Sequence, residues 1–148
     1  RYVLQRGDLL MCMTDMKGNV ALLGHTALMT ENDKYIVNQR VGLLRANGRF
    51  GIDYPFLFII TNYKDFLENL RGRANSGVQV NLSTAEIKAS KLVLAPESIN
   101  KQFNDIAKPI FQTIMDNQLE NNRLATLRDT LLPRFMSGEL SVVEATAK

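Results

Sequence analysis

The chain has 148 residues and a mass of 16.7 kDa, with 45% hydrophobic and 22% charged residues, which excludes disordered and fibrous classes and allows one compact domain with an appended segment. A single cysteine, Cys12, and a single histidine, His25, exclude an internal disulfide and a zinc site built on several thiolates. The net charge of +3 lies entirely in residues 1 to 80, with 10 Lys or Arg against 7 Asp or Glu, a mild indication of polyanion binding.

Short strands are predicted in the first third of the chain. Apolar runs at residues 8 to 14, 20 to 29 and 40 to 46 are separated by turn-forming residues, a pattern typical of antiparallel strands in a β-meander. Gly18 and Asn19 tolerate positive φ, so they predict a hairpin with about three to five loop residues after the first run.

A helix is predicted next, because the apolar spacing changes beyond Gly51. From Phe56 to Leu70 the apolar residues recur every three or four positions, as on one face of a helix. Asp53 is the predicted N-cap and Gly72 the predicted C′ residue.

The segment that follows predicts a loop, a short helix and a strand. Residues 71 to 79 (RGRANSGVQ) lack apolar periodicity and are expected to form an exposed loop. Ser83 and Glu86 have the spacing of a capping box, which predicts the start of a short helix. Residues 91 to 94 predict a strand that ends before Pro96.

From Ser98 to about Leu132 the sequence predicts one long helix. Its stripe at alternating three- and four-residue spacing is apolar at both ends and polar in the middle, and comprises Phe103, Ile106, Ile110, Thr113, Asn117, Glu120, Leu124, Leu127 and Leu131. Pro109 predicts a kink or restart near Lys108, and Pro133 predicts an end or a bend. A helix of this length cannot bury both ends against one small domain, so we expect it to project and pair with a partner helix. The alternative is that it packs on its own domain.

These elements predict an α+β fold. Residues 1 to 96 are expected to form a β-rich domain with mixed or antiparallel strands and short helices, and residues 97 to 148 a long projecting helix with a tail.

No catalytic motif is present in the sequence. The carboxylates are scattered, and the glycines of NGRFG and RGRANSG match neither a P-loop nor a dinucleotide fingerprint. We expect no catalytic residue, no metal and no cofactor. No apolar stretch reaches the roughly 20 residues of a membrane-spanning helix, and no signal-peptide pattern opens the chain. We therefore infer no membrane partner and a cytoplasmic location.

Basic and amide side chains are concentrated in the predicted turns and loops. They include Lys17, Arg40, Arg45, Arg49, Arg71, Arg73, Asn75 and Gln79. Arg and Lys suit phosphates, Arg suits guanine, and Asn and Gln suit adenine. A solvated surface accounts for this pattern equally well, because basic loops are common.

Residues 117 to 140 (NQLENNRLATLRDTLLPRFMSGEL) closely resemble the terminal helix and tail of type I restriction-modification specificity subunits. Repeats of that family end with a Leu-Arg-Asp-x-Leu-Leu-Pro and Ser-Gly-Glu pattern. Three shorter matches follow the family's order: residues 7 to 10 (GDLL), 37 to 40 (VNQR) and 76 to 83 (SGVQVNLS). Together the matches span nearly the whole chain.

The resemblance implies a target recognition domain that reads double-stranded DNA, followed by the family's spacer helix. In this family the subunit holds the methyltransferase subunits and, through them, the restriction subunit, while methyl transfer and cleavage reside on other chains. Family subunits usually contain two recognition domains and two helices that pack antiparallel. The chain is therefore expected to be the C-terminal half, to begin inside its domain, and to pair its helix with the other half or with a second copy.

Three hypotheses follow. The first is a non-enzymatic DNA-reading module whose contacts are Lys17, Arg45, Arg49, Arg71, Arg73, Asn75 and Gln79, in loops on one side of the domain. The second is an assembly module that binds no DNA and dimerises through its helix. The third is a small hydrolase, which needs Cys12 and His25 within hydrogen-bond reach of each other. A lone cysteine in an apolar strand is far more often a packing residue.

Overall fold

The computed structural model describes residues 3 to 18, 20 to 76 and 79 to 141. The predicted α+β class is confirmed, with two small antiparallel sheets, short helices and a long last helix. The chain divides into two compact units, residues 1 to 111 and 112 to 148. The predicted domain boundary at residue 96 stays a prediction.

The elements follow one another in this order: β1 (Leu9–Cys12), β2 (Thr14–Met16), β3 (Thr26–Leu28), β4 (Val41–Leu44), a 3₁₀ turn (Arg49–Gly51), α1 (Tyr54–Thr61), α2 (Lys64–Arg71), β5 (Asn75–Ser76), β6 (Gln79–Asn81), α3 (Thr84–Lys88) and α4 (Glu97–Met136).

The first sheet has β1 in its centre, in the order β3-β1-β4, and both pairings are antiparallel. Leu9 lies opposite Leu28 on one side and Leu44 on the other. The predicted antiparallel strands are thus confirmed, but the predicted meander is wrong, because the first apolar run, and not the second, provides the central strand.

The second sheet has the order β2-β6-β5. β2 follows β1 after the single residue Met13, and its partner is β6. The first two apolar runs do pair, through β1 and β3, but the predicted loop of about three to five residues between them is wrong: Gly18 follows β2, and β2 pairs with β6 instead. Asn19, the other predicted turn residue, lies outside the described residues. The predicted loop at residues 71 to 79 is wrong in part, because it contributes β5 and the start of β6.

The core of the first unit is formed by side chains from both sheets, α2 and two loops. Its buried members are Met11, Leu23, Leu70, Val80 and Leu82. Leu23 lies in residues 20 to 24, which were predicted as part of a strand but form a loop. Gly24 has φ +81°, and a Cβ there would lie 3.1 Å from a methyl group of Leu70. Glycine therefore lets this loop approach α2 closely.

The predicted single helix from Phe56 to Leu70 is interrupted at Asn62, which ends α1. The Asn62 side-chain amide donates to the carbonyl of Phe58 at 2.9 Å and to the hydroxyl of Thr26 at 2.8 Å, and it accepts from the Thr26 amide at 3.1 Å. These bonds compete with helix continuation and join α1 to β3. Asn62 therefore orients α1 against the first sheet.

The predicted N-cap is confirmed, because the Asp53 carboxylate accepts from the Tyr54 backbone amide at 2.7 Å at the start of α1. α2 ends at Arg71, so Gly72 is its C-cap, with a right-handed φ of −61°, and not the predicted C′ residue. The Ser83 capping box is confirmed at α3.

The predicted strand at residues 91 to 94 is wrong. No strand among the described residues pairs with this segment, and Val93 is 91% exposed. The residues of this segment favour a strand by composition, but a strand forms only where another strand provides hydrogen-bond partners.

α4 continues through both prolines and ends at Met136, so the helix neither restarts at Pro109 nor ends at Pro133. The alternatives, a kink at Pro109 and a bend at Pro133, stay predictions. Aromatic contacts hold the helix on both sides of Pro109. Phe103 packs edge-on against Phe56, with ring centroids 6.2 Å apart, and Phe111 packs against Phe58 at 5.6 Å. We attribute the continuous helix to these contacts, which offset the one backbone hydrogen bond that proline cannot form.

An ion pair between Asp8 and Arg45 fixes the start of β1. The two carboxylate oxygens of the buried Asp8 each lie 2.6 Å from a nitrogen of the Arg45 guanidinium. One of these oxygens also accepts from the backbone amide of Gln5 at 2.7 Å. Burial raises the pKa of Asp8, but the hydrogen bonds from Arg45 and Gln5 lower it more. The pKa of Asp8 therefore lies below its ordinary value of 3.8.

We predict that Asp8→Asn lowers the free energy of unfolding at pH 7 by about 2 kcal/mol, because the amide cannot accept both guanidinium bonds. Because the pKa of Asp8 is lower in the folded state than its ordinary value of 3.8, the ionised carboxylate stabilises the fold fully above pH 3.8. This stabilisation is lost as the pH falls through the folded-state pKa of Asp8. The difference between wild type and Asp8→Asn in urea unfolding should therefore shrink from pH 7 to pH 3. Asp105→Asn, on an exposed position of α4, is the control. An equal difference at both pH values contradicts this role for the ion pair.

Candidate nucleic-acid interface

The outward surface of the second sheet carries mainly hydrogen-bonding side chains, with Met16 as its one apolar member, and we call it the polar face: Thr14, Met16, Asn75, Gln79 and Asn81. Strand alternation creates it, because Val80 is buried while its neighbours Gln79 and Asn81 are exposed. Thr14 and Asn75 flank Asn81 on the two sides of β6, and Met16 lies opposite Gln79. The Thr14 hydroxyl donates to the Asn81 side-chain oxygen at 2.9 Å. This bond, with one from the Asn81 side-chain nitrogen to the carbonyl of Gln79 at 3.3 Å, orients the Asn81 amide at the surface.

A cleft of about 260 Å³ borders the polar face at Thr14 and Asn81. Gln39 and Arg40, both exposed, line its other side just before β4. The cleft therefore brings a guanidinium and two amides together at one opening. These are the groups that contact phosphates and base edges in protein–DNA complexes.

Two further basic residues lie next to the polar face along the chain. Lys17 is exposed and directly follows β2, while Arg73 is exposed two residues before β5. Arg73 donates to the carbonyl of Ala89 at 3.2 Å. Of the predicted DNA contacts, the second sheet thus brings together Lys17, Asn75 and Gln79, with Arg73 nearby in sequence.

Arg71, another predicted contact, is used to hold the loop at residues 20 to 24. Its guanidinium donates to the carbonyls of Leu23 at 2.9 Å and Ala21 at 2.8 Å. The Asp15 carboxylate accepts from the amides of Leu22 at 2.8 Å and Leu23 at 3.1 Å. These two charged side chains satisfy the loop backbone and keep Leu23 in the core.

Arg45 and Arg49 lie beyond the other end of β4. Arg40 precedes β4 and Arg45 follows it, a separation of about 16 Å at 3.2 to 3.4 Å per residue. The Arg45 guanidinium binds Asp8 and the carbonyl of Val3 at 3.2 Å, whereas Arg49 is exposed in the 3₁₀ turn. Apart from Arg71, the predicted contacts therefore fall into two groups, one near the second sheet and one beyond the far end of β4.

The side chains of Cys12 and His25 have different partners, although their backbones are hydrogen-bonded. The Cys12 thiol donates to the carbonyl of Thr14 at 3.2 Å, and Nδ1 of His25 lies 3.0 Å from the side-chain oxygen of Asn62. Because that oxygen is an acceptor, Nδ1 carries the proton. This arrangement does not support a nucleophile and base pair.

In residues 3 to 18, 20 to 76 and 79 to 141, no group of three or more His, Cys, Asp or Glu side chains is placed to hold a metal ion. In the same ranges, no helix combines the length and apolar character needed to cross a bilayer.

Sequence reasoning did not select Thr14, Gln39 and Asn81. The alternation of Gln79, Val80 and Asn81 was a usable signal for a half-buried strand. No pattern within a single stretch of the sequence predicts the cleft, because its two sides come from segments far apart in the chain.

No protein-family model matches the chain. The type I restriction enzyme MjaIX specificity subunit of Methanocaldococcus jannaschii is 33% identical over 63 residues, which cover 43% of this chain and 15% of that protein. The type I restriction enzyme HindI specificity subunit of Haemophilus influenzae is 29% identical over 86 residues, covering 57% and 19%. The matches thus span less than a fifth of each relative. They confirm the resemblance to type I restriction specificity subunits.

We predict that Arg71→Gln lowers the free energy of unfolding by about 1 to 2 kcal/mol, because the loop at residues 20 to 24 loses two charge-assisted bonds. Urea unfolding measures the change. Lys17→Gln, at an exposed position outside this loop, should shift stability by less than about 0.5 kcal/mol. If both variants unfold like wild type, Arg71 does not hold the loop.

Proposed function

We propose that this chain recognises double-stranded DNA as part of the specificity subunit of a type I restriction system. The observation that carries the proposal is its similarity to two proteins named as specificity subunits of such enzymes. The polar face and its bordering cleft support it, because they expose amides on a sheet and the Arg40 guanidinium in the turn beside it. Rigid elements position reading groups more accurately than loops do.

Within this proposal, the polar face lies against the DNA and the basic residues around it contact phosphates. Lys17, Arg40 and Arg73 set the register of the domain on the duplex, and Asn75 and Gln79 approach base edges. Arg45 and Arg49, at the other end of β4, contact phosphates in a second stretch of the DNA. Arg71 contributes through the loop that it holds.

The proposed subunit is non-catalytic and assembles through α4. Four apolar residues of the predicted seam are at least half exposed: Ile106 at 69%, Ile110 at 55%, Leu124 at 50% and Leu127 at 51%. Burying such side chains contributes on the order of 1.5 to 3 kcal/mol each before ordering costs. We infer an antiparallel partner helix, from the rest of the subunit or from a second copy, with Asn117 near the centre of the pair.

Two other apolar residues of the predicted seam, Phe103 and Leu131, are less exposed than these four. Phe103 is half-buried against Phe56, so it contributes to the fold of the first unit as well. Leu131 is partly exposed near the end of the helix.

We further propose that the paired helices dock the methyltransferase subunits and, through them, the restriction subunit.

A second candidate function is assembly without DNA binding, which the exposed seam alone favours. Ionic strength separates the two candidates. DNA association weakens steeply with salt because bound counterions are released, whereas an apolar seam responds little.

We predict that the chain enriches a specific sequence from a randomised pool of 30-base-pair duplexes at low salt. Lys17→Gln and Arg40→Gln should each weaken binding to all duplexes and reduce the slope of log affinity against log salt by about 1. Gln79→Ala should instead remove the preference for one base at a single position of the enriched sequence. The affinity ratio between the preferred base and the other bases at that position should fall by roughly 5- to 150-fold.

Lys64→Gln is the matched control for the phosphate contacts, because Lys64 is 80% exposed on α2, outside the polar face. It should leave the salt slope unchanged. Failure of the chain to enrich any duplex, together with salt-independent behaviour, rules out DNA reading and leaves the assembly function.

We predict that Leu124→Asp combined with Leu127→Asp abolishes helix pairing, because two buried charges would face the partner helix. Sedimentation of the chain at micromolar concentration measures the mass of the assembly. Asn122→Asp combined with Thr126→Asp adds the same charge on the opposite face of α4 and is the control. A wild-type chain that stays monomeric, and whose mass neither pair of substitutions changes, contradicts pairing with a second copy.

A further inference from the structure

Phe50 combines an exposed aromatic ring with an unusual backbone conformation. The residue is 62% exposed, although phenylalanine is among the residues most often buried. Its φ of 56° and ψ of 23° lie in the left-handed region, which bulky residues other than glycine avoid at a cost of about 1 to 2 kcal/mol. Such a conformation persists only where the surrounding structure holds it in place.

The first turns of α4 hold this backbone. The side-chain amide of the buried Asn100 donates to the carbonyl of Phe50 at 2.9 Å, and that of Asn104 donates to the carbonyl of Gly51 at 2.5 Å. Gly51 has φ +67°, and a Cβ there would lie 2.8 Å from the carbonyl oxygen of Glu97. The turn is therefore fastened to the helix on the side away from the ring, and the ring is presented to solvent on a rigid support.

The surroundings of the ring combine basic and apolar residues, because Ala46, Ile52 and Leu57 line the same cleft as the arginines. Phe50 shares a cleft of about 320 Å³ with Arg45, Asn47 and Arg49. Arg45 is bonded to Asp8, whereas Arg49 forms no ion pair with any residue that the structure describes. An unpaired cation next to an exposed ring favours a ligand with both anionic groups and flat apolar surfaces.

We propose that Phe50 is an apolar wedge that inserts against the bases of bound DNA while Arg49 contacts the adjacent phosphate. This inference rests on the proposed DNA-reading function and adds a specificity residue to it. Proteins that bend DNA insert Phe, Leu or Met side chains between base steps, and flexible steps accept the wedge at lower cost. Phe50 thus contributes readout of DNA deformability, at the opposite end of β4 from the cleft beside the polar face.

The test uses the full chain and the duplex that it enriches from the randomised pool, with 2-aminopurine placed at each adenine in turn. Insertion should raise 2-aminopurine fluorescence at one or two adjacent positions, because the wedge unstacks them. Phe50→Gly should abolish this rise and weaken binding by roughly 5- to 100-fold. Its salt slope should stay that of wild type, because no phosphate contact is lost.

Stability separates the wedge from a structural role. Glycine adopts positive φ without strain, so the thermal midpoint of Phe50→Gly should not fall. Phe50→Leu retains an apolar wedge and should keep part of the fluorescence rise. Tyr63→Ala removes another exposed aromatic ring, 55% exposed before α2, and should change neither affinity nor fluorescence.

Each outcome is informative. If the chain binds DNA but Phe50→Gly binds like Tyr63→Ala and fluorescence stays flat, the wedge is wrong and the DNA-reading function stands. If Phe50→Gly lowers the thermal midpoint and affinity together, and Phe50→Leu restores both without unstacking a base, the ring serves the fold. Absence of any DNA binding overturns both proposals.

Discussion

The first unit depends on one constraint: the continuous segment from Leu9 to Met16 must satisfy its backbone hydrogen bonds with two different sheets. Leu9 and Met11 are fully buried, so their amides and carbonyls have no access to water and require ladder partners. β3 and β4 provide them on the two sides of β1, and β6 pairs with β2 across 67 positions of sequence. This shared segment places the polar face and the Arg40 cleft at one end of β4, and the Asp8 ion pair at the other.

Asparagine side chains form many of the long-range connections around this framework. Asn62 joins α1 to β3, while Asn100 and Asn104 join α4 to the turn that presents Phe50. An amide both donates and accepts, so it can bridge two backbone segments without the desolvation penalty of a buried charge. Surface segments are thereby held on a rigid scaffold.

The arginines divide into two groups with different consequences for the proposed function. Arg45 and Arg71 bond within the chain, to Asp8 and to the loop at residues 20 to 24. Arg40 and Arg49 are exposed beside clefts at opposite ends of β4. A substitution at Arg71 therefore changes the fold as well as the charge, whereas substitutions at Arg40 and Arg49 report on the surface alone.

The sequence by itself determined the α+β class, the caps at Asp53 and Ser83, the long last helix and the similarity to type I restriction specificity subunits. These signals are local, because periodicity and capping connect residues within about four positions, and the family motif is a continuous stretch. Tertiary structure alone decided the sheet order, the interruption at Asn62 and the continuation of α4 through Pro109. It also decided which arginines are exposed. The physical reason is that strand pairing, side-chain amide bonds and aromatic packing join residues far apart in the chain, and a local pattern cannot specify such partners.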